Sequence, residues 1–178
     1  MLVAFTGPQS SGKSTLIEAI KDKFPDFEYK PSATRSIKAK GFTINNIGDN
    51  FDDTQKEVIN SHIDNIKYYL EHKGNVILDR CILDGIVYTT YFYRKGKVSE
   101  SVMDYGNKAI EKYYNVYNTV FYLDPSGVPL ADDNVRSTDI IFRKDIIDIF
   151  NEYLEKYPAT ILSGSIDERV NKVLSTLK

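Results

Sequence analysis

A glycine-rich segment near the amino terminus constrains this chain more than any other stretch. Residues 2–5 are apolar and long enough for one buried strand, and Gly7 to Ser14 fits the pattern G-x-x-x-x-G-K-[ST]. Apolar residues at 16, 17 and 20 then recur with helical spacing. In such a strand–loop–helix unit the loop amides and the helix amino terminus converge on an anion. The segment therefore predicts a loop that binds the phosphates of a nucleotide, the alternative being a glycine-rich turn without a ligand.

The positions of this loop have distinct predicted roles. Lys13 is predicted to be catalytic, because its ammonium group faces the β- and γ-phosphates of ATP. The Ser14 hydroxyl is predicted to bind the Mg²⁺ that accompanies the nucleotide. The predicted ATP-binding residues are consecutive: Gly7, Pro8, Gln9, Ser10, Ser11, Gly12, Lys13, Ser14 and Thr15.

Length and composition indicate the class of protein. The 178 residues predict a single domain, 1–178, and a net charge of −2 argues against a general affinity for nucleic acid. The single cysteine, Cys81, excludes an internal disulfide and fits a reducing compartment, so we expect a cytoplasmic protein. No apolar run is long enough for a membrane span, and we expect no signal peptide. His62 and His72 have no companion cysteines, which argues against a zinc site.

Apolar runs alternate with helical periodicity along the whole chain. The predicted strands are 2–5, 27–33, 76–78, 119–123 and 159–162. The predicted helices are 13–24, 54–72, 81–94, 99–114, 137–157 and one that begins at Ser165. Two helices have a predicted apolar side, formed by Val58, Ile59, Ile63, Ile66 and Leu70 in one and by Ile140, Ile141, Ile147 and Leu154 in the other. This alternation predicts an α/β fold in three layers, with helices on both faces of a parallel sheet.

Ligands of open parallel sheets bind beyond the carboxyl ends of the strands. Asp79 ends the third strand, where a carboxylate either binds Mg²⁺ or accepts a proton, unless it only caps the next helix. The next residue, Arg80, is predicted to be catalytic and to bind the phosphate of an acceptor, the alternative being an ion pair with Asp79 or Asp84. Arg35 ends the second strand and is a further acceptor-binding candidate, unless it is a surface charge.

Two more groups complete the predicted site. Asp84 and Tyr88 are four residues apart, so they share a helix face and are candidates for binding the acceptor, although a structural role is equally compatible with the spacing. Residues 124–143 are predicted to form a lid that brings Arg136 and Arg143 to the transferred phosphoryl group as catalytic residues.

Several of these segments resemble known kinases. VILDRCILDGIVYTTYF resembles the D-R-Y segment of thymidylate kinases and the D-R-x-x-x-D-x-x-x-Y segment of ribosylnicotinamide-kinase-like P-loop proteins. Thr34-Arg35 resembles the start of the thymidylate kinase T-R-E-P segment, without its Glu and Pro. DDNVRSTDIIFR resembles a D-G-x-R lid in which Asn134 replaces glycine, and SIDERVNKVL resembles the closing helix of these kinases.

The resemblance implies a P-loop NTPase fold with a five-stranded sheet of order 2-3-1-4-5 and ATP-dependent, Mg²⁺-assisted phosphoryl transfer. The expected acceptor is a nucleoside monophosphate or a nucleoside, and the expected state is a monomer or homodimer. A polynucleotide or DNA-hydroxyl kinase is the first alternative; its basic rim would comprise Lys38, Lys40, Arg94, Lys95 and Lys97. A nucleotide-binding regulatory module without an acceptor is the second.

Overall fold

The computed structural model of the chain describes residues 1–34, 37, 40–42, 50–128 and 140–177. Its strands are β1 (Leu2–Thr6), β2 (Phe27–Lys30), β3 (Asn75–Asp79), β4 (Thr119–Leu123) and β5 (Thr160–Leu162). Its α-helices are α1 (Lys13–Ile20), α2 (Asp52–His72), α3 (Ile82–Arg94), α4 (Glu100–Tyr113), α5 (Ile140–Lys156) and α6 (Ile166–Leu177). Short 3₁₀ segments, Lys21–Lys23 and Tyr114–Val116, follow α1 and α4.

The five strands form one parallel sheet in the order β2-β3-β1-β4-β5, which confirms the predicted fold. In the register of β1, Phe5 lies opposite Asp79 on one side and Phe121 on the other. The carboxyl ends of β1, β3 and β4 therefore meet at one edge of the sheet. The predicted nucleotide-binding loop, residues 7–14, follows β1 at this edge, and Asp79 ends β3 beside it.

Alternate residues of the central strands pack into two separate cores. In β1, Leu2 and Ala4 face helices α2 to α5, whereas Val3 and Phe5 face α1 and α6. Both faces are covered, so the interior positions of these strands are apolar or aromatic, as expected of a buried parallel strand. In β4 and β5, Phe121, Leu123 and Leu162 continue the core of the α1 and α6 side.

The predicted elements all occur, and the differences lie at their ends. The second strand ends at Lys30 rather than at 33, because Pro31 has no N–H with which to continue the ladder. The first helix ends at Ile20 and passes into a 3₁₀ segment before Pro25. Helix α2 begins two residues earlier than predicted, at Asp52, and Cys81 caps α3 instead of lying within it.

The prediction that the apolar residues of two helices are buried was wrong for three of them. Ile140 and Ile141 at the start of α5 are exposed, and the residues of this helix that are buried are Phe142, Ile146, Ile149 and Phe150. The helical period that points Phe142 and Ile146 at the sheet turns the two isoleucines before them away from it. Leu70, in the last turn of α2, is likewise exposed.

Candidate functional site: a phosphate-binding loop and the end of strand β3

The loop between β1 and α1 has a backbone that requires glycine at its two glycine positions. Gly7 has a φ of 141°, and a Cβ atom there would lie 2.9 Å from the Leu123 carbonyl oxygen. Gly12, which caps α1, has a φ of 87° in the left-handed region. Its backbone N–H donates no hydrogen bond to any described residue. This amide, unpaired among the described residues, lies at the start of a helix, where an anion is favoured.

Lys13 is folded onto the loop that it follows. Its side chain is buried, and Nζ donates hydrogen bonds to the carbonyl oxygens of Gly7 (2.7 Å) and Pro8 (2.8 Å) and to Ser11 Oγ (3.1 Å). These bonds hold an ammonium group inside the curve of the loop. A phosphate that enters the loop would exchange some of these neutral acceptors for an anionic one, which forms a stronger hydrogen bond.

Asp79 and Arg80 lie next to the loop, at the end of β3. The Arg80 N–H donates to the Phe5 carbonyl oxygen (2.9 Å), and Arg80 has a φ of 78°, which is uncommon for a residue other than glycine. Backbone strain of this kind is often found at functional sites. The Arg80 guanidinium pairs with Asp84 through Nη1 and Oδ1 at 2.7 Å and lies 5.6 Å from the ring centre of Tyr88. The alternative ion pair with Asp84 is therefore present in the structure.

Asp84 is a fully engaged buried carboxylate. Besides Arg80, it accepts hydrogen bonds from Thr6 Oγ1 (2.7 Å) and from the Cys81 N–H (2.9 Å), the latter as part of a capping box at the start of α3. These contacts connect β1, β3 and α3 and favour a positioning role. Contact of Asp84 with an acceptor stays a prediction, as does that of Tyr88, which is half-buried between Arg80 and Phe142.

Arg143 connects helix α5 to the predicted nucleotide-binding loop. Its Nη2 donates to the Val128 carbonyl oxygen (2.9 Å) and, over longer distances, to those of Pro125 (3.4 Å) and Ser10 (3.5 Å). The arginine predicted to act on the transferred phosphoryl group is therefore within reach of the loop. Arg35, Arg136 and most of the predicted lid lie outside the described residues, so their predicted roles stay predictions.

Arg169 is a residue of the site that the sequence did not reveal. It lies in α6, is buried, and donates to the Ser11 carbonyl oxygen of the loop through Nη1 (2.8 Å). Nη2 donates to the Asp124 carbonyl oxygen (2.9 Å), and Nε donates to that of Gly164 (3.0 Å). Its partners are backbone oxygens, so no complementary side chain in the sequence marks the contact.

His62 is a buried histidine behind the site. A Cβ atom on Gly85 of α3 would lie 3.1 Å from its Cδ2 atom, and Nδ1 has no partner among the described residues. Burial lowers the pKa of His62 to about 4, against the opposing effect of Asp84 and with a further lowering by Arg80. The ring is therefore neutral near pH 7 and adds no charge beside the Arg80–Asp84 pair.

A cavity of about 430 Å³ opens between α5 and strands β4 and β5. Arg143 borders both this cavity and the nucleotide-binding loop. Arg143 Nε and the hydroxyl group of Tyr122, another lining residue, are buried without a hydrogen-bond partner in the described part of the chain. Polar groups of this kind are available to water or to a ligand.

The predicted basic rim is largely neutralised where the structure describes it. Lys40 pairs with Glu57, Arg94 with Glu152 and Lys95 with Asp145. Among the described residues no helix is long and apolar enough to cross a membrane. Within the same ranges no group of three or more histidine, cysteine and acidic residues is arranged to hold a metal ion.

The model of the AAA domain family matches residues 2–169, and no curated protein sequence matches the chain. Among solved structures, a deoxyadenosine kinase from M. mycoides with products bound is 18% identical, with a TM-score of 0.64 and coverage of 99% of this chain and 98% of that one. A thymidylate kinase from Ehrlichia chaffeensis is 20% identical, with a TM-score of 0.65 and coverage of 100% and 98%. The NadR protein in complex with NR is 15% identical, with a TM-score of 0.73, and this chain spans 50% of its length. At these identities the likeness shows a shared fold.

Proposed function

We propose that this chain, which belongs to the AAA domain family, is an ATP-dependent phosphotransferase acting on a nucleoside monophosphate or a nucleoside. The observation that carries the proposal is the loop of residues 7–14 beside the carboxylate at the end of β3. Its Gly12 amide is unpaired within the described ranges, and its Lys13 ammonium is enclosed. Two neighbours in fold are a deoxyadenosine kinase and a thymidylate kinase, which supports this class of reaction.

The donor site is the loop itself. The Gly12 amide and the amino terminus of α1 would bind phosphate oxygens of ATP, and Lys13 would turn from the loop carbonyls toward the β- and γ-phosphates. Arg143, held at the edge of the loop, would stabilise the charge that spreads over the transferred group.

Ser14 and Asp79 fit a magnesium ion by their chemistry. A hydroxyl and a carboxylate are the hard oxygen ligands that Mg²⁺ prefers. Ser14 lies in the first turn of α1, and Asp79 is the last residue of β3. When bound, the ion would neutralise charge that develops on the phosphates. Asp79 would hold the ion's water shell or accept the proton of the acceptor hydroxyl.

Arg80 and Tyr88 are the residues proposed to contact the acceptor. A guanidinium group has five N–H donors, so one bond to Asp84 leaves Arg80 able to bind an acceptor phosphate or hydroxyl. The Tyr88 ring beside it offers a flat surface to a sugar or base.

The proposal is tested by measuring ADP formation from Mg·ATP with a panel of acceptors: nucleosides, nucleoside monophosphates, nicotinamide riboside and an oligonucleotide with a 5′-hydroxyl end. We expect turnover with a small acceptor and none with the Lys13→Ala variant. Turnover with the oligonucleotide alone would establish the polynucleotide alternative. Slow hydrolysis that no acceptor stimulates would instead indicate a regulatory module.

A further inference from the structure

Arg169 connects three separate segments at the nucleotide-binding loop. Its guanidinium donates one hydrogen bond to each of three backbone carbonyls: Ser11 in the loop, Asp124 after β4 and Gly164 after β5. All three distances lie between 2.8 and 3.0 Å, and the residue is 4% exposed. A long cationic side chain is rarely buried so completely unless its donors are satisfied.

The bond to Ser11 has a consequence for the neighbouring amide. A trans peptide is planar, so the Ser11 C=O and the Gly12 N–H point in opposite directions. Arg169 holds the carbonyl from the α6 side, and the Gly12 N–H, which donates to no described residue, is thereby turned away from α6. We propose that Arg169 is a positioning residue that aims the Gly12 amide at the phosphate of a nucleotide.

The positive charge of Arg169 also favours phosphate binding by the Gly12 amide. Arg169 forms no ion pair within 4.0 Å of a described acidic group; its hydrogen-bond acceptors are three carbonyl dipoles, and the Asp124 carboxylate interacts with it over a longer distance. A hydrogen bond from a cation polarises the peptide group that accepts it, which makes the Gly12 N–H a stronger donor. The bonds to Asp124 and Gly164 fix the guanidinium from two further sides, so it cannot follow the loop outward.

This inference rests on the proposed function, in that the ligand of the loop is a nucleotide. The test compares wild type with Arg169→Met, which removes the donors at similar volume, and Arg169→Lys, which keeps the charge without the three-way fork. Val173→Ala is the matched control, because Val173 is fully buried in the same helix and its truncation loosens α6 without touching the loop. Dissociation constants of Mg·ATP and of inorganic tripolyphosphate are measured by calorimetry, and stability by urea unfolding.

We expect both ligands to bind about 10-fold to 100-fold more weakly to Arg169→Met, with Arg169→Lys between it and wild type. Val173→Ala should lose stability but bind both ligands as wild type does. Equal affinities in wild type and Arg169→Met would overturn the inference and leave the proposed function standing. Failure of wild type to bind either ligand would overturn both.

A second measurement on wild type covers the case in which Arg169→Met does not fold. In amide NMR spectra titrated with tripolyphosphate, the Gly12 resonance should show one of the largest downfield proton shifts, as expected when its N–H gains an anionic acceptor. A Gly12 resonance that stays unchanged while its neighbours shift would show that this amide does not face the phosphate, and would overturn the inference.

Discussion

Replacing Asp84 with alanine should lower the free energy of unfolding strongly, because this one carboxylate group has three hydrogen-bonding partners. Asp84 is 2% exposed and holds Arg80 Nη1, Thr6 Oγ1 and the Cys81 N–H at 2.7 to 2.9 Å. Removing one partner of a buried ion pair lowers the free energy of unfolding by about 3–5 kcal/mol. This range includes much of the effect of leaving the Thr6 hydroxyl and the Cys81 N–H without their acceptor. For a chain of this size the melting temperature should fall by roughly 6 to 20 °C.

Urea unfolding followed by circular dichroism measures this loss directly. The matched control is Asp104→Ala in α4, an exposed helical aspartate whose removal should change stability by less than about 0.5 kcal/mol. The milder Asp84→Asn variant should lose less than alanine, because an amide accepts some of the three hydrogen bonds but places a donor against the others. An Asp84→Asn variant with unchanged stability and a strongly raised acceptor KM would refute the positioning role and support the direct acceptor contact.

Three further substitutions test the site. Gly7→Ala should weaken ATP binding at least about 10-fold, because alanine disfavours a φ of 141° and its Cβ would meet the Leu123 carbonyl. Calorimetry with ATP measures the affinity, and unchanged binding would contradict the loop geometry. Asp79→Asn should reduce kcat about 10²-fold to 10⁴-fold with ATP affinity nearly unchanged; an unaltered kcat would show that Asp79 takes no part in the reaction. Arg80→Lys should raise the KM of a monophosphate acceptor while the KM of ATP moves little; with a nucleoside acceptor kcat should fall instead.

Local sequence patterns predicted the fold well because the central strands of this buried parallel sheet are apolar at their interior positions. The fourth strand occupies residues Thr119–Leu123, as its run of apolar residues predicts. The last helix was also placed within one residue, since Ser165 and Glu168 exchange backbone–side-chain hydrogen bonds in a capping arrangement that the sequence encodes locally. The apolar face of α5, whose orientation depends on packing, was less well predicted, because Ile140 and Ile141 are exposed.

Sequence patterns pointed to candidate site residues most directly where a residue has a sequence partner at fixed spacing. The loop from Gly7 to Ser14 satisfies that condition, and so does the pair of Arg80, which precedes α3, and Asp84, four residues later in its first turn. Arg169 does not, because it binds a carbonyl 158 residues away and every residue type supplies the same carbonyl. Backbone recognition of this kind becomes visible only when the fold brings the two segments together.

The charges at the end of β3 bear on whether Arg80 binds an acceptor that carries a phosphate. Asp79, Arg80 and Asp84 together carry two negative charges and one positive charge, and Arg80 already pairs with Asp84. A phosphate that binds Arg80 must therefore share it with a carboxylate and stand near a second one, which is unfavourable without Mg²⁺ at Asp79 or a further cation. A nucleoside hydroxyl faces no such repulsion and gains from the same carboxylate as a proton acceptor. Dependence of the acceptor KM on magnesium thus separates the two acceptors: it should be steep for a monophosphate and shallow for a nucleoside.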